Sequence, residues 1–382
     1  MNFFSSSNVE ALPSGLPANW PNHDEEDLKA FPWREINVGT EQQYLFKDNF
    51  VKTSKYTPWD FLPKFLLEEF NPNTKIANCY FFVIALLQMV PQISNTGGLP
   101  TTFAPLSVVV FVDGLFQVME DMNRHKADAI ANSSKAIRFV KNGSWLATKW
   151  NMLQVGDYVK VSSREQVPAD LLILSTAEEP GVPPRGQCYV ETKQLDGETN
   201  LKLRLAMPNT LANIKTNDDL LALRGTIQME HPNNLIDTFE GSLNIENNNI
   251  GKEACQPVNM LLRGCVLRNT EWIIGIVVNS GHDTKIMMTS KETKQKCSAM
   301  EFRVSTQILY IVSLLSFFCI FGATGATIWN NKNNVDDIWY LGYHIIDKNP
   351  GTNFIIMFFY YFLLHATFIP VSLYVSMTIA RA

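Results

Sequence analysis

The chain has 382 residues, of which 46% are hydrophobic and 18% charged, and its formal net charge is −5. This composition is too apolar for a disordered protein, and the length allows more than one folding unit. The absence of a basic cluster argues against nucleic-acid binding, and the six cysteines are too scattered to predict a metal site or a disulfide framework.

The N-terminal region is predicted to hold no core. Residues 1–44 are rich in Pro, Asn and Ser and are expected to form a mobile tail, and they lack the pattern of a signal peptide. Residues 45–75 are expected to form an arm that precedes the membrane. Within this arm the segment from Trp59 to Phe70 is amphipathic, which predicts a helix along the cytosolic membrane surface.

Four stretches are apolar and nearly free of charge, and each is long enough to cross a bilayer, which takes roughly 20 residues. They run from Ile76 to Ser94, Thr101 to Met119, Val304 to Trp329 and Gly351 to Ala380. Basic residues lie after the second stretch and before the third, whereas the segment from Pro91 to Pro100 has none. The positive-inside rule therefore places both termini and residues 120–303 in the cytosol.

The predicted fold class is an α+β membrane protein with four transmembrane helices in two hairpins, residues 76–119 and 304–382. A mainly β cytosolic domain, residues 120–303, is inserted between helices 2 and 3. Residues 120–134 continue the second span as a helix, and the Asn142-Gly143 turn then predicts a β-hairpin. Further strands are predicted at 158–161, 171–174, 188–195, 201–205, 261–268 and 271–278, and the polar excursion 206–258 is expected to have little core.

Asp196-Gly-Glu-Thr-Asn200 lies between two of these strands. Asp-Gly predicts a tight turn, because glycine readily adopts the positive φ that such turns need. The carboxylate of Glu198, held on a rigid turn, is suited to orienting a water molecule at a neighbouring site. A solvated surface turn is the alternative.

The fourth apolar stretch contains Pro370, whose ring would clash with the carbonyl of Ala366 and break or kink the helix. A broken helix at membrane depth offers free backbone groups to a transported substrate, and a simple kink is the alternative. Asp113, His365 and Gln88 are the other polar residues of interest in these stretches. For each we favour a plain role: contact with water, a satisfied core histidine and an interhelical hydrogen bond, respectively.

Taken in order along the chain, several motifs resemble the N-terminal part of a type IV P-type ATPase, a phospholipid flippase. They are Lys55-Tyr-Thr, Phe61-Leu-Pro-Lys-Phe-Leu-Leu-Glu68, Arg124-His-Lys-Ala-Asp128, Pro168-Ala-Asp170, Asp196-Gly-Glu-Thr-Asn-Leu-Lys202, Leu262-Arg-Gly264, Leu267-Arg-Asn-Thr270, Gly281-His-Asp-Thr-Lys285 and Pro370-Val-Ser-Leu373.

The resemblance implies that the insert is an actuator domain. Glu198 would position the water that hydrolyses an aspartyl phosphate, and Asp196, Gly197 and Thr199 would shape the loop. No Asp-Lys-Thr-Gly occurs in this chain, so the phosphorylation loop and the nucleotide-binding domain, which bind ATP and Mg²⁺, are expected outside it. Membrane phospholipid and an accessory glycoprotein subunit are the implied partners, in an endomembrane or the plasma membrane.

The resemblance also implies a lipid path past Pro370, Val371 and Ser372. A break without a fixed charge suits a lipid, whereas a desolvated cation would need a carboxylate in the membrane. Two departures concern head-group choice: Ala366-Thr367 replaces two Asn, and Gln88-Met89 replaces a Gln pair. These departures argue against carrying over a phosphatidylserine preference.

Two other functions stay open at the level of the sequence. One is a non-enzymatic membrane protein derived from such a pump, serving as a regulator or as half of a split assembly. The other is the pump-like module of a larger signalling enzyme.

Overall fold

A computed structural model describes residues 33–42, 46–178, 181, 183–246, 252–290, 299–332, 349–369 and 376. The chain divides into two units. The β unit is drawn from Met1–Thr53 and Lys126–Thr293, and the helical unit from Ser54–His125 and Lys294–Ala382.

Helices and strands alternate irregularly along the chain, as in an α+β protein. The helices are α1 (Phe61–Glu69), α2 (Ile76–Gln88), α3 (Phe103–Ser133), α4 (Lys193–Asp196), α5 (Pro208–Asn213), α6 (Asn217–Ala222), α7 (Lys285–Thr289), α8 (Ala299–Lys332) and α9 (Pro350–Leu364). The strands are β1 (Arg34–Val38), β2 (Lys135–Phe139), β3 (Trp145–Lys149), β4 (Tyr158–Ser162), β5 (Asp170–Ala177), β6 (Gln187–Glu191), β7 (Leu201–Leu205), β8 (Gly225–Met229), β9 (Gly241–Ile245), β10 (Glu253–Cys255), β11 (Met260–Leu261), β12 (Val266–Arg268) and β13 (Trp272–Asn279).

The β unit contains three antiparallel sheets. The largest has the order β11-β5-β13-β4-β2-β3, the second β1-β8-β9-β10 and the third β12-β6-β7. Strands β5 and β13 are adjacent interior strands of the largest sheet and are buried over nearly their whole length, which explains their largely apolar sequences. Burying each of their Leu, Ile and Val side chains contributes about 1.5–3 kcal/mol to the core.

The predicted hairpin after α3 is confirmed. β2 and β3 pair in register from Lys135↔Lys149 to Phe139↔Trp145, and Gly143 in the connecting turn has a φ of 81°. The rings of Phe139 and Trp145 lie 5.0 Å apart between centroids, so an aromatic pair supports the end of the hairpin next to the turn.

The prediction that residues 206–258 have little core is wrong. β8 and β9 pair within this segment, and Ile227 and Leu243, which face each other in the register, are fully buried. Every second residue of β8 is buried, so a strand that looks polar in composition still contributes an apolar face.

The boundary of the predicted tail is also wrong. Arg34–Val38 forms β1, which pairs with β8 through Ile36↔Ile227. Residues 1–32 lie outside the described residues. The single strand predicted for 261–268 is divided as well, because Gly264 with a φ of 86° turns the chain between β11 and β12, which belong to different sheets.

The helical unit has three helices long and apolar enough to cross a membrane, within the part of the chain that the structure describes: Phe103–Ser133, Phe302–Lys332 and Pro350–Phe368. The helix predicted to continue the second span is confirmed, since α3 runs without interruption to Ser133.

The first predicted span is shorter than expected. α2 has 13 residues, which is less than a bilayer requires, and it ends at Gln88. Pro91 follows closely and disfavours helical backbone at Val90, which accounts for the early end. Phe81 and Ile84 of α2 are buried in a core that also includes residues of α8 and α9.

The helix of the last predicted span is interrupted before Pro370. α9 stops at Leu364, a 3₁₀ turn follows over Ala366–Phe368, and Ile369 is extended, with φ −95° and ψ 108°. An extended residue is expected before a proline. The helix therefore breaks within residues 365–369, while Pro370, Val371 and Ser372 lie outside the described residues.

Candidate functional site

The Asp196–Asn200 loop connects two strands of the three-stranded sheet. β6 and β7 pair from Gln187↔Leu205 to Glu191↔Leu201, so the loop is held at both ends by the same hairpin. The strand predicted to reach Leu195 ends instead at Glu191. The reason is local: the carbonyl of Thr192 accepts the backbone N–H groups of Leu195 (2.8 Å) and Asp196 (3.2 Å), which starts the short helix α4.

Gly197 ends α4 in the left-handed conformation, with a φ of 77°. Its N–H donates to the carbonyl of Lys193 at 3.1 Å. A Cβ added at this position would meet nothing within 4 Å, so the glycine is required by its backbone angle and not by lack of space. The predicted tight turn at Asp-Gly is confirmed.

The carboxylate of Asp196 is the centre of the loop. It accepts hydrogen bonds from the Thr192 hydroxyl (2.9 and 3.0 Å), the backbone N–H of Glu198 (2.9 Å) and the Lys202 ammonium (2.6 Å). The bond from Lys202, followed by those from the Glu198 N–H and Thr192, lowers the pKa of Asp196 to about 2. Asp196 is therefore a stable anion that fixes the backbone of the turn.

Glu198 presents its carboxylate to solvent. Its side chain is 57% exposed, and one of its oxygens lies 3.1 Å from the Lys202 ammonium. Thr199 and Asn200 are exposed as well. The loop thus offers a carboxylate on a fixed backbone, with room for water and for a reacting group from another part of a protein.

The base of the loop is rigid. Cys188 and Val190 of β6 are fully buried, and Leu195 of α4 packs against the same core. On the other side of the strand, Arg268 forms an ion pair with Glu191 through two guanidinium nitrogens at 2.8 and 2.9 Å. A rigid base of this kind holds a functional side chain in place more precisely than a free loop would.

In the helical unit, Gln88 is buried, and both the oxygen and the nitrogen of its amide form hydrogen bonds. Its Oε1 accepts from the N–H (3.2 Å) and the hydroxyl (3.1 Å) of Thr102, and its Nε2 donates to Thr101 at 3.3 Å. These bonds join the end of α2 to the start of α3, which agrees with the interhelical role favoured from sequence. The two threonines were not anticipated.

The end of α9 faces α2. The carbonyl of Ala366 lies 3.5 Å from the Tyr80 hydroxyl, while Thr367 is exposed. In the described residues no hydrogen bond joins Gln88 to Ala366 or Thr367. The Nδ1 of His365 lies 2.8 Å from the carbonyl of Tyr361, as expected for a satisfied histidine.

One buried polar cluster was not predicted from the sequence. Lys75 pairs with Asp113 at 2.7 Å and with Glu69, whose side chain is fully buried. Asn78 donates to the other oxygen of Glu69 at 2.8 Å. Asp113 is thus paired with a cation instead of standing free toward water. The sequence signal for this cluster was Lys75 itself, a lysine directly before an apolar stretch.

The described ranges contain no group of three or more His, Cys, Asp or Glu side chains that could hold a metal ion.

Comparison with known proteins adds the following. The family profile described as "Phospholipid-translocating ATPase N-terminal" matches residues 33–102. "Phospholipid-transporting ATPase FetA" of Mus musculus is 35% identical over 338 residues, which are 88% of this chain and 28% of that protein. "Phospholipid-transporting ATPase IC" of Homo sapiens is 36% identical over 336 residues, 88% of this chain and 26% of that protein.

A third relative is similar over a longer part of the chain. "Phospholipid-transporting ATPase ID" of Homo sapiens is 35% identical over 363 residues, which are 95% of this chain and 28% of that protein. The chain spans little more than a quarter of the length of these curated relatives.

Proposed function

We propose that this chain, which is similar to the N-terminal part of a type IV P-type ATPase, is the N-terminal membrane and actuator portion of an ATP-driven phospholipid translocase. The complete pump would move lipid to the cytosolic leaflet. The β unit would be its actuator domain, and the Asp196–Thr199 loop would promote hydrolysis of an aspartyl phosphate. The observation that carries the proposal is the exposed carboxylate of Glu198 on a loop fixed at both ends.

The chemistry assigned to Glu198 is general-base catalysis. Its carboxylate accepts a proton from a water molecule as the water oxygen bonds to phosphorus. The bond between phosphorus and the acceptor aspartate breaks at the same time, and that aspartate leaves as a carboxylate. Asp196, Gly197 and Thr199 hold the loop in shape. The acceptor aspartate lies outside this chain, which contains no Asp-Lys-Thr-Gly.

ATP and Mg²⁺ belong to the complete pump. The described residues include no cluster of metal ligands, and the carboxylate of Asp196 is already bound by Thr192, Glu198 and Lys202. We propose that both groups are bound by parts of the pump outside this chain. An accessory glycoprotein subunit is proposed on family resemblance alone.

In the membrane we propose two helical hairpins with the actuator domain between them on the cytosolic side. α2, extended by the residues up to Ser94, would be the first span. The apolar lengths of α3, α8 and α9 support the other three. α1 would lie along the cytosolic surface, since Trp59 just before it is 92% exposed and Leu62 and Leu66 are exposed on one face of the helix.

The lipid path is proposed along the break after α9. The end of the helix at Leu364 supports it, because carbonyls without helical partners become available there. Ala366, Thr367, Pro370, Val371 and Ser372 would line the path, with Gln88 near its other end. Pro350–Phe368 contains no Asp, Glu, Lys or Arg, and this suits a lipid better than a desolvated cation.

The proposal is tested by reconstituting the native protein that carries this chain into vesicles with a fluorescent phospholipid in one leaflet. ATP-dependent movement of the label to the leaflet that faces the β unit is expected. If a folded protein that carries the complete catalytic part shows no ATP-dependent lipid movement, a non-enzymatic or signalling role is favoured instead.

A further inference from the structure

We propose that Lys202 is a positioning residue for the Asp196–Asn200 loop. Its ammonium pairs with the carboxylates of Asp196 and Glu198 at the same time. It thereby offsets one of their two negative charges when the loop approaches a phosphoryl group. This inference rests on the proposed function and extends it to a residue outside the Asp196–Thr199 set.

The geometry of the ammonium supports this role. Its Nζ lies 2.6 Å from Asp196 Oδ2 and 3.1 Å from Glu198 Oε2, so one donor group joins both carboxylates. Lys202 is the second residue of β7 and faces the fully buried Val190 in the strand register. The backbone that carries the ammonium is therefore fixed by sheet pairing, and the side chain reaches back to the loop from a rigid strand.

Glu198 depends on this contact. Within the described part of the chain, no other side chain pairs with Glu198, whereas Asp196 is also bound by Thr192 and by the Glu198 N–H. Without Lys202, Asp196 would stay in place and Glu198 would be free to turn away from it. Lys202 therefore orients the carboxylate to which we assign the chemistry.

Charge gives the second reason. Asp196, with a pKa of about 2, is ionised at neutral pH, so the loop carries two carboxylates and one ammonium. A phosphoryl group is itself an anion, and like charges brought close together repel. Replacing Lys202 with a neutral residue would change the charge of these three side chains from −1 to −2 and would oppose the approach of the loop.

A plain structural role for Lys202 is the alternative, and substitutions at Lys202 that differ in charge separate the two. Lys202→Met removes the ammonium and its hydrogen bonds. Lys202→Gln keeps a hydrogen-bond donor but removes the charge, whereas Lys202→Arg keeps both. Slow hydrolysis in Lys202→Gln is expected of the ion cluster, and hydrolysis at the wild-type rate in this variant is expected of a plain hydrogen bond.

The experiment measures the rate of phosphoenzyme hydrolysis in the native protein after a pulse of labelled ATP and a chase. Lys202→Met is expected to slow hydrolysis about fivefold, the upper end for a partly exposed charge pair. Lys202→Gln is expected to be as slow as Lys202→Met, whereas Lys202→Arg is expected to come within about twofold of the wild type. Hydrolysis at the wild-type rate in Lys202→Met or in Lys202→Gln would overturn the proposal.

The pKa of Asp196 distinguishes loss of the ion cluster from misfolding of the variant. Carbon NMR of the labelled aspartates in Lys202→Met should show the pKa of Asp196 rising from about 2 toward its ordinary value of 3.8, with the other aspartates unchanged. An unchanged pKa of Asp196 would contradict the ion cluster on which the proposal depends.

Glu198→Gln is included to keep the two proposals apart. If Glu198→Gln hydrolyses slowly and Lys202→Met does not, only the role of Lys202 fails. If Glu198→Gln hydrolyses at the wild-type rate, the proposed function fails and the role of Lys202 fails with it.

Discussion

The ammonium of Lys75 lies 2.7 Å from a carboxylate oxygen of Asp113 and also pairs with Glu69, whose side chain is fully buried. Lys75 directly precedes α2, and Asp113 lies inside α3, so a single cation joins the start of one apolar helix to the interior of the next. Breaking a buried pair by removing one partner is costly, because the remaining charge is left uncompensated.

Lys75→Met should therefore lower the free energy of unfolding by about 3–5 kcal/mol, because it leaves Glu69 buried without its cation. The measurement is denaturant unfolding of the protein in detergent micelles. Lys64→Met is the matched control: Lys64 pairs with Asp60 on an exposed helix face, and its loss should cost less than about 0.5 kcal/mol. Equal effects of the two substitutions would show that the cluster is not effectively buried.

Gly197→Ala should lower stability by about 1–2 kcal/mol, because alanine is strained at a φ of 77° although its Cβ has free space. Gly143→Ala is a close match, since Gly143 has a φ of 81° and equally open surroundings. Thermal unfolding of the two variants should therefore agree.

Only Gly197→Ala should also slow phosphoenzyme hydrolysis, because Gly143 lies in a different hairpin. Slow hydrolysis in both variants would point to a general loss of stability and not to a role of the Asp196–Asn200 loop.

The face of α1 that carries Leu62 and Leu66 should lie in the lipid headgroup region. Single cysteines at these positions, in a background without other cysteines, can carry a nitroxide label in vesicles. We expect the label to be more accessible to oxygen, which partitions into lipid, than to a water-soluble nickel complex. A label at Lys64, which lies toward Asp60, should show the reverse order. Preferential access of nickel at Leu62 and Leu66 would remove α1 from the membrane surface.

The sequence predicts best what is decided locally. The hairpin around Asn142-Gly143 and the positive φ at Gly197 follow from the conformations that glycine allows, and β5 is visible as an unbroken apolar run. The course of α3 beyond the membrane-length segment also follows from its local pattern. These features need no information about distant parts of the chain.

The sequence predicts poorly what depends on distant partners. β1 is short and becomes recognisable only through its pairing with β8, almost two hundred residues further on. The same pairing gives the polar segment 206–258 its buried face. Lys75 and Asp113 are each unremarkable alone, and their ion pair exists only once α2 and α3 have been placed side by side. Lys202 belongs to the same class, since alternation along β7 does not reveal that its ammonium reaches Asp196 and Glu198.

The most direct test of the central claim is the rate constant of phosphoenzyme hydrolysis in Glu198→Gln. The amide cannot accept the proton of the attacking water, so hydrolysis should slow at least about 100-fold while phosphoenzyme still forms. Glu271→Gln is the control, because Glu271 is exposed and lies outside the Asp196–Asn200 loop, and its hydrolysis should match the wild type. Hydrolysis in Glu198→Gln at the rate of Glu271→Gln would contradict the role assigned to this carboxylate.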